Sequence, residues 1–156
     1  MGSEKMELFE DKIIEEYIIW QEANPKNFSW WNYVNMKSDI QVALGFAKFF
    51  YPEIIEIDNC IFIKDNFSSE RYEQWKVVCN DKKTLQIAIN SYEIIDFFHI
   101  NTDFEDKNID EQIQALGNIL KKFWTLSFNE RFPDMNIIVD IIEDDESLYI
   151  TAFRDI

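Results

Sequence analysis

His99 is the only histidine in the chain, so a serine- or cysteine-based nucleophilic site would have to use it as its base. It follows Phe97-Phe98 and precedes Ile100, a setting that suits a hydrogen-bonded structural residue better than a catalytic one. Cys60 and Cys79 are isolated thiols in apolar surroundings. One His and two separated Cys give none of the paired spacings, such as CxxC or HExxH, that hold zinc. The cysteines read as buried and reduced, with a disulfide as the alternative. The 30 Asp and Glu could supply a two-carboxylate hydrolase. The signal is nearly empty, because among so many acids some pair falls about 5–10 Å apart in almost any fold.

Two acidic clusters raise the question of calcium: Asp140, Glu143, Asp144, Asp145 and Glu146, and Asp103, Glu105, Asp106 and Asp110. Neither has the spaced acids, central glycine and closing glutamate of a calcium loop, so both read as solvated surface. Three glycines cannot build GxGxxG or GxxxxGK[ST], so no phosphate-cradling loop is legible. These residues assign no catalytic group, no metal ligand and no cofactor.

The aromatic set Trp20, Trp30, Trp31 and Tyr33 is more informative. Most of these rings belong in a core. Adjacent Trp30 and Trp31 cannot easily bury both rings on one side, so one is a candidate exposed anchor of an interface, where Trp and Tyr are favoured. Stacking on a single-stranded nucleic acid also uses aromatics, but it needs a basic groove that this chain lacks.

Charge narrows the partners. Against 30 acids stand 15 Lys and Arg, a formal net charge of −15. Nucleic acids and anionic membrane surfaces are repelled by that field, whereas a basic protein is steered toward it. The expected contacts are Glu15, Glu16, Asp144, Asp145 and Glu146 for charge and Trp30 and Trp31 as anchors. No apolar run approaches the about 20 residues of a membrane span, and no signal peptide is visible. Position 6 is Met, which does not fit myristoylation of Gly2, and Met1-Gly2-Ser3 is compatible with a cloning remnant. A cytoplasmic protein is expected.

The elements that must position these residues follow from periodicity. With 156 residues, 47% of them apolar, the chain fits one globular domain over 1–156, of which Gly 3 and Pro 3 leave little for linkers. Met6, Phe9, Ile13, Tyr17 and Trp20 make a helical stripe over 4–23, stopped by Asn24-Pro25. Phe28–Trp31 is an aromatic knot. Ser38 or Asp39 caps a helix to Phe50 so apolar that burial on nearly all sides is expected. Ile55 and Ile57, then Ile61 and Ile63, alternate around Asp58-Asn59 as a hairpin. Helices follow from Ser68 and from Asp81. The stretch 92–100 reads as strand or helical turn, and 101–108 as a surface loop. A long helix runs from Ile109 to Phe132, with Gly117 inside it for close packing on a neighbour. Strands around Asp144-Asp145-Glu146-Ser147 form a second hairpin. The fold class is α+β: about five helices packed on a small antiparallel sheet made of two hairpins, its face covered by the first and last helices.

The stretch Asp39–Trp75, containing IQVALGFAKFFYPEIIEIDNCIFIKDNF and then YEQW, resembles a family of small, uncharacterised bacterial proteins. The C-terminal pattern of Phe-Pro, alternating strand, acidic turn and final strand is similar to it too. The resemblance covers roughly half the chain, implies a bacterial cytosolic protein and brings no catalytic residue with it. In general character the chain also resembles the immunity proteins of bacterial toxin systems, which implies an acidic face docked on a basic toxin. Two further readings stay open: a small-ligand binder or enzyme built around His99 and a carboxylate, and a self-associating structural protein. The sequence leaves the oligomeric state undetermined.

Overall fold

The computed structural model describes residues 7–156. The expected cloning remnant and Met6 lie outside the described residues. Among the described residues the fold is α+β, with six helices and two small antiparallel sheets.

The N-terminal helix is shorter than its stripe. A 3-10 turn occupies Asp11–Ile13, and α1 spans only Glu15–Ala23. The physical reason sits at Ile13. Its carbonyl accepts from Gln112 Nε2 at 2.7 Å and is therefore taken from the helical ladder. The aromatic knot opens a second helix, α2 (Trp30–Lys37). At its start the Ser29 N–H donates to Asn32 Oδ1 at 2.9 Å.

Asp39, not Ser38, caps α3 (Ile40–Phe50), accepting from the Val42 N–H at 2.9 Å. The expected burial of this helix is reversed: none of its residues is buried. It leans on the rest of the fold along one side, at two separate segments. Phe50 meets Phe123, Phe46 and Phe49 meet Phe98, and Trp124 Nε1 donates to the Phe49 carbonyl.

The first hairpin is β1 (Ile54–Ile57) and β2 (Cys60–Ile63), turning through Asp58 and Asn59 at φ 51° and 69°. Ser68 caps α4 (Ser69–Val78) and Asp81 caps α5 (Lys82–Asn90). The ambiguous stretch becomes the short strand β3 (Tyr92–Glu93) and a 3-10 turn over Ile94–Asp96. Then come α6 (Ile109–Arg131), β4 (Ile137–Asp144) and β5 (Ser147–Arg154). Inside α6, a Cβ on Gly117 would stand 3.0 Å from Leu148 Cδ2, the close approach expected there.

The two hairpins do not share one ladder. β1–β2 is one sheet and β3–β5–β4 is the other. Two buried amides of α5 join them. Gln86 Oε1 accepts from the Ile61 N–H at 3.0 Å and the Arg154 N–H at 2.9 Å. Asn90 Oδ1 accepts from the Ile63 N–H, while its Nδ2 donates to the carbonyls of Ile61 and Ala152 at 2.9 and 2.8 Å. The amides thus replace the backbone bonds that one four-stranded sheet would have used, and the chain has a wedge where a seam was expected.

The covering helices also differ from expectation. On one face, α6 sets Leu120, Trp124 and Phe128 against Val139, Ile150 and Ala152. On the other, α5 packs against β5 and β2, where Leu85 and Ile89 join Cys60, Phe62 and Tyr72 in a second core. The first helix does not lie on the sheet. It stacks with α2 through rings: Tyr17 lies on Trp30 at 3.6 Å and 6°. Cys60 and Cys79 are free thiols, Cys60 buried and its thiol pKa pushed up by that burial. Among the described residues no helix is long and apolar enough to cross a membrane.

Candidate functional site: an acidic cleft

The second hairpin turns through Asp145 and Glu146, both in the left-handed region at φ 47° and 70°. This is the geometry of the Asp58-Asn59 turn, but without a residue that tolerates it at the second position. The turn projects Asp144, Asp145 and Glu146 beside Glu143. β3 pairs with β5 through Glu93 opposite Tyr149, which brings Glu93 to the same end of the sheet. Asp110 comes from the first turn of α6, where the helix dipole favours an anion.

These six carboxylates line one open cleft of about 760 Å³. Ile95, Ile113 and Leu148 give it an apolar floor, and no Lys, Arg or His lines it. Among the described residues none of the six is ion-paired. The arrangement presents negative charge to a cation of extended shape, with aliphatic surface beneath for the stem of a Lys or Arg side chain.

The structure distributes the expected partner-binding residues unevenly. Asp144, Asp145 and Glu146 share the cleft. Glu15 and Glu16 are engaged elsewhere: Glu15 is 3.0 Å from Lys107 Nζ, and Glu16 is 2.9 Å from Lys37 Nζ and accepts from the Tyr33 hydroxyl. Burial, reinforced by Glu16, pushes the Tyr33 phenol up to about 12. Trp30 is packed, with its indole N–H donating to Asp11 at 3.2 Å. Trp31 is the exposed one, at 77%. The Trp30-Trp31 pair thus divides into a packed and an open ring, but neither lines the acidic cleft.

Glu93 and Asp110 were not grouped with the hairpin turn by sequence reasoning. Nothing local links them to residues 143–146; only the β3–β5 pairing and the α6 start do so. A smaller groove of about 400 Å³ lies among Trp20, Asn24, Asn27, Phe28, Asn32 and Met36.

His99 is exposed, with Nδ1 2.9 Å from the Asp96 carbonyl across its own turn. Among the described residues no three His, Cys, Asp or Glu side chains are placed to hold a metal ion. No family model matches the chain, and neither the curated proteins nor the solved structures show a match to it.

Proposed function

We propose that the chain is a non-enzymatic protein-binding module of the toxin-immunity type, acting in the bacterial cytoplasm, whose acidic cleft receives a basic segment of its partner. The observation that carries the reading is the cleft itself: six carboxylates from three elements converge without a cation among them. Like charges around one cleft make a negative field there, and a cationic segment is drawn to it. Glu146 adds to this argument. A non-glycine residue at φ 70° in a hairpin turn costs on the order of 1 kcal/mol, so charge at this position is kept against stability.

The complex forms fast and weakens with salt, because exposed charges steer encounter and are screened. The test uses a fluorescently labelled peptide rich in Lys and Arg. Anisotropy reports binding to the wild type that falls steeply as salt rises. A variant carrying Asp144→Asn, Asp145→Asn and Glu146→Gln loses tenfold or more in affinity. A control that removes three charges outside the cleft, Glu70→Gln, Glu73→Gln and Asp134→Asn, loses much less. Equal loss in both variants, or no binding by the wild type, overturns the reading. Capture from bacterial lysate with the same two variants then identifies the partner.

A further inference from the structure

The two strands of the second hairpin differ in what meets their outer backbone groups. The turn at Asp145-Glu146 closes on the pair Asp144 and Ser147. Asp144, Ile142, Asp140 and Ile138 therefore bond to β5, while Ile137, Val139, Ile141 and Glu143 point their N–H and C=O groups the other way. On β5 the outward positions are engaged. Ile150 lies opposite Tyr92 of β3, the Ala152 carbonyl accepts from Asn90 and the Arg154 N–H donates to Gln86. On β4 they are not. This eight-residue strand ends the order β3–β5–β4. Among the described residues one outward group of β4 has a partner: the Ile141 N–H donates to Asp140 Oδ1 at 2.9 Å.

Charge selects what fits this edge. β4 carries Asp140, Glu143 and Asp144 and no cation. Ile137, Val139 and Ile141 face the core under α6, so the alternate residues Ile138, Asp140, Ile142 and Asp144 share the opposite face. Among the described residues none of the three acids is ion-paired. The other open edge, β1, differs: Glu53 before it is paired with Lys48 and Lys64, and Glu56 within it with Arg154. A second copy of β4 would bring the same three acids and no cation, and like charges across a strand pair destabilise it. Glu143 and Asp144 also line the acidic cleft, so the edge runs into it.

We propose that the partner's basic segment binds as an extended strand added to the free edge of β4, with one end in the acidic cleft. This docking mode rests on the protein-binding reading above and adds to it the conformation and the pattern of the segment. Lys or Arg side chains lie beside Asp140 and Asp144, and alternate apolar ones beside Ile138 and Ile142. Main-chain hydrogen bonds hold the strand, and the side-chain alternation selects it. The Ile141 N–H passes from Asp140 to a carbonyl of the added strand, which leaves that carboxylate to a cation.

The probe is a labelled peptide in which Arg and Val alternate over the length of β4, blocked at both ends. Two further peptides are N-methylated, one on every Arg amide and one on every Val amide. In an added strand only one of these sets faces β4. Anisotropy with the full chain is expected to show a loss of about tenfold or more for one methylated peptide and of less than about threefold for the other. Hydrogen exchange with the unmodified peptide is expected to slow at the amides of Val139, Ile141 and Glu143 and not along β1. Equal affinity of the two methylated peptides, or no slowing along β4, overturns strand addition while binding of the unmodified peptide leaves the cleft reading in place. Slowing of the same amides with protein concentration alone puts a second copy on the edge and also overturns it. An unmodified peptide that does not bind overturns both.

Discussion

Asn90 makes three hydrogen bonds from a fully buried position, each to a backbone group of a different edge residue. Asn90→Leu keeps much of the volume and strands all three groups. Leaving a buried backbone group unpaired costs about 1–3 kcal/mol, so a loss of roughly 3–5 kcal/mol is expected in urea unfolding. Tyr92 offers a pH test. Burial, helped by the Asp65 charge, pushes its phenol up to about 12, above the ordinary value of 10.0. Below pH 10 the phenol is protonated in both states. Above it the unfolded chain ionises first, so stability is lost between about pH 10 and 12. Tyr92→Phe is expected to flatten that loss, and tyrosinate absorbance of the folded wild type to rise late. At this scale the sequence was informative about single residues whose role is local. The Asp58-Asn59 turn, the Asp81 cap, a cap at Ser38 or Asp39 and the close fit at Gly117 are legible because each depends on immediate neighbours or on backbone geometry. Gln86 and Asn90 were not, because their partners lie 25 to 68 positions away.

Among the elements, the two interior glycines of helices separate cleanly. A Cβ on Gly45 meets nothing within 4 Å, and its φ is not positive. Gly45→Ala is therefore expected to raise stability by about 0.5–1 kcal/mol in thermal or urea unfolding. Gly117→Ala gains the same propensity but presses a methyl on Leu148, so it falls at least about 1 kcal/mol short of Gly45→Ala. The second hairpin allows a trade. Glu146→Gly relieves the backbone at φ 70° and is expected to gain about 1 kcal/mol of stability while weakening capture of a basic peptide. Periodicity placed the last long helix within a residue and both hairpins nearly so. It misjudged α1, because the Ile13 carbonyl serves Gln112, and it misjudged α3, because an apolar helix was assumed to be covered within its own chain. Hydropathy reports what a helix prefers to touch and says nothing of whose atoms those are.

At the scale of the molecule, the acidic cleft is the surface expected to respond to salt. On the proposed reading, binding of a cationic segment in the acidic cleft is expected to weaken as ionic strength rises, because exposed charges are screened. Trp31 does not line the cleft, and Trp31→Ala is expected to shift stability by less than about 0.5 kcal/mol. Trp30→Ala removes the stacked ring on Tyr17 and is expected to cost about 2 kcal/mol. Of the candidate site, the acidic turn was visible from sequence, but the cleft was not. Its other walls, Glu93 and Asp110, are set by the pairing of β3 with β5 and by where α6 begins.

The amide wedge between the hairpins has one more consequence. β2 and β5 each turn unpaired backbone groups toward the gap, and such rows are templates onto which foreign strands can add. Gln86 and Asn90 occupy those groups with side chains that cannot propagate a ladder. They act as stoppers, letting two short sheets lie side by side while denying the next strand a place to begin. Removing them invites strand exchange between copies and fibrous aggregation during folding, before any loss of the native state is visible at equilibrium.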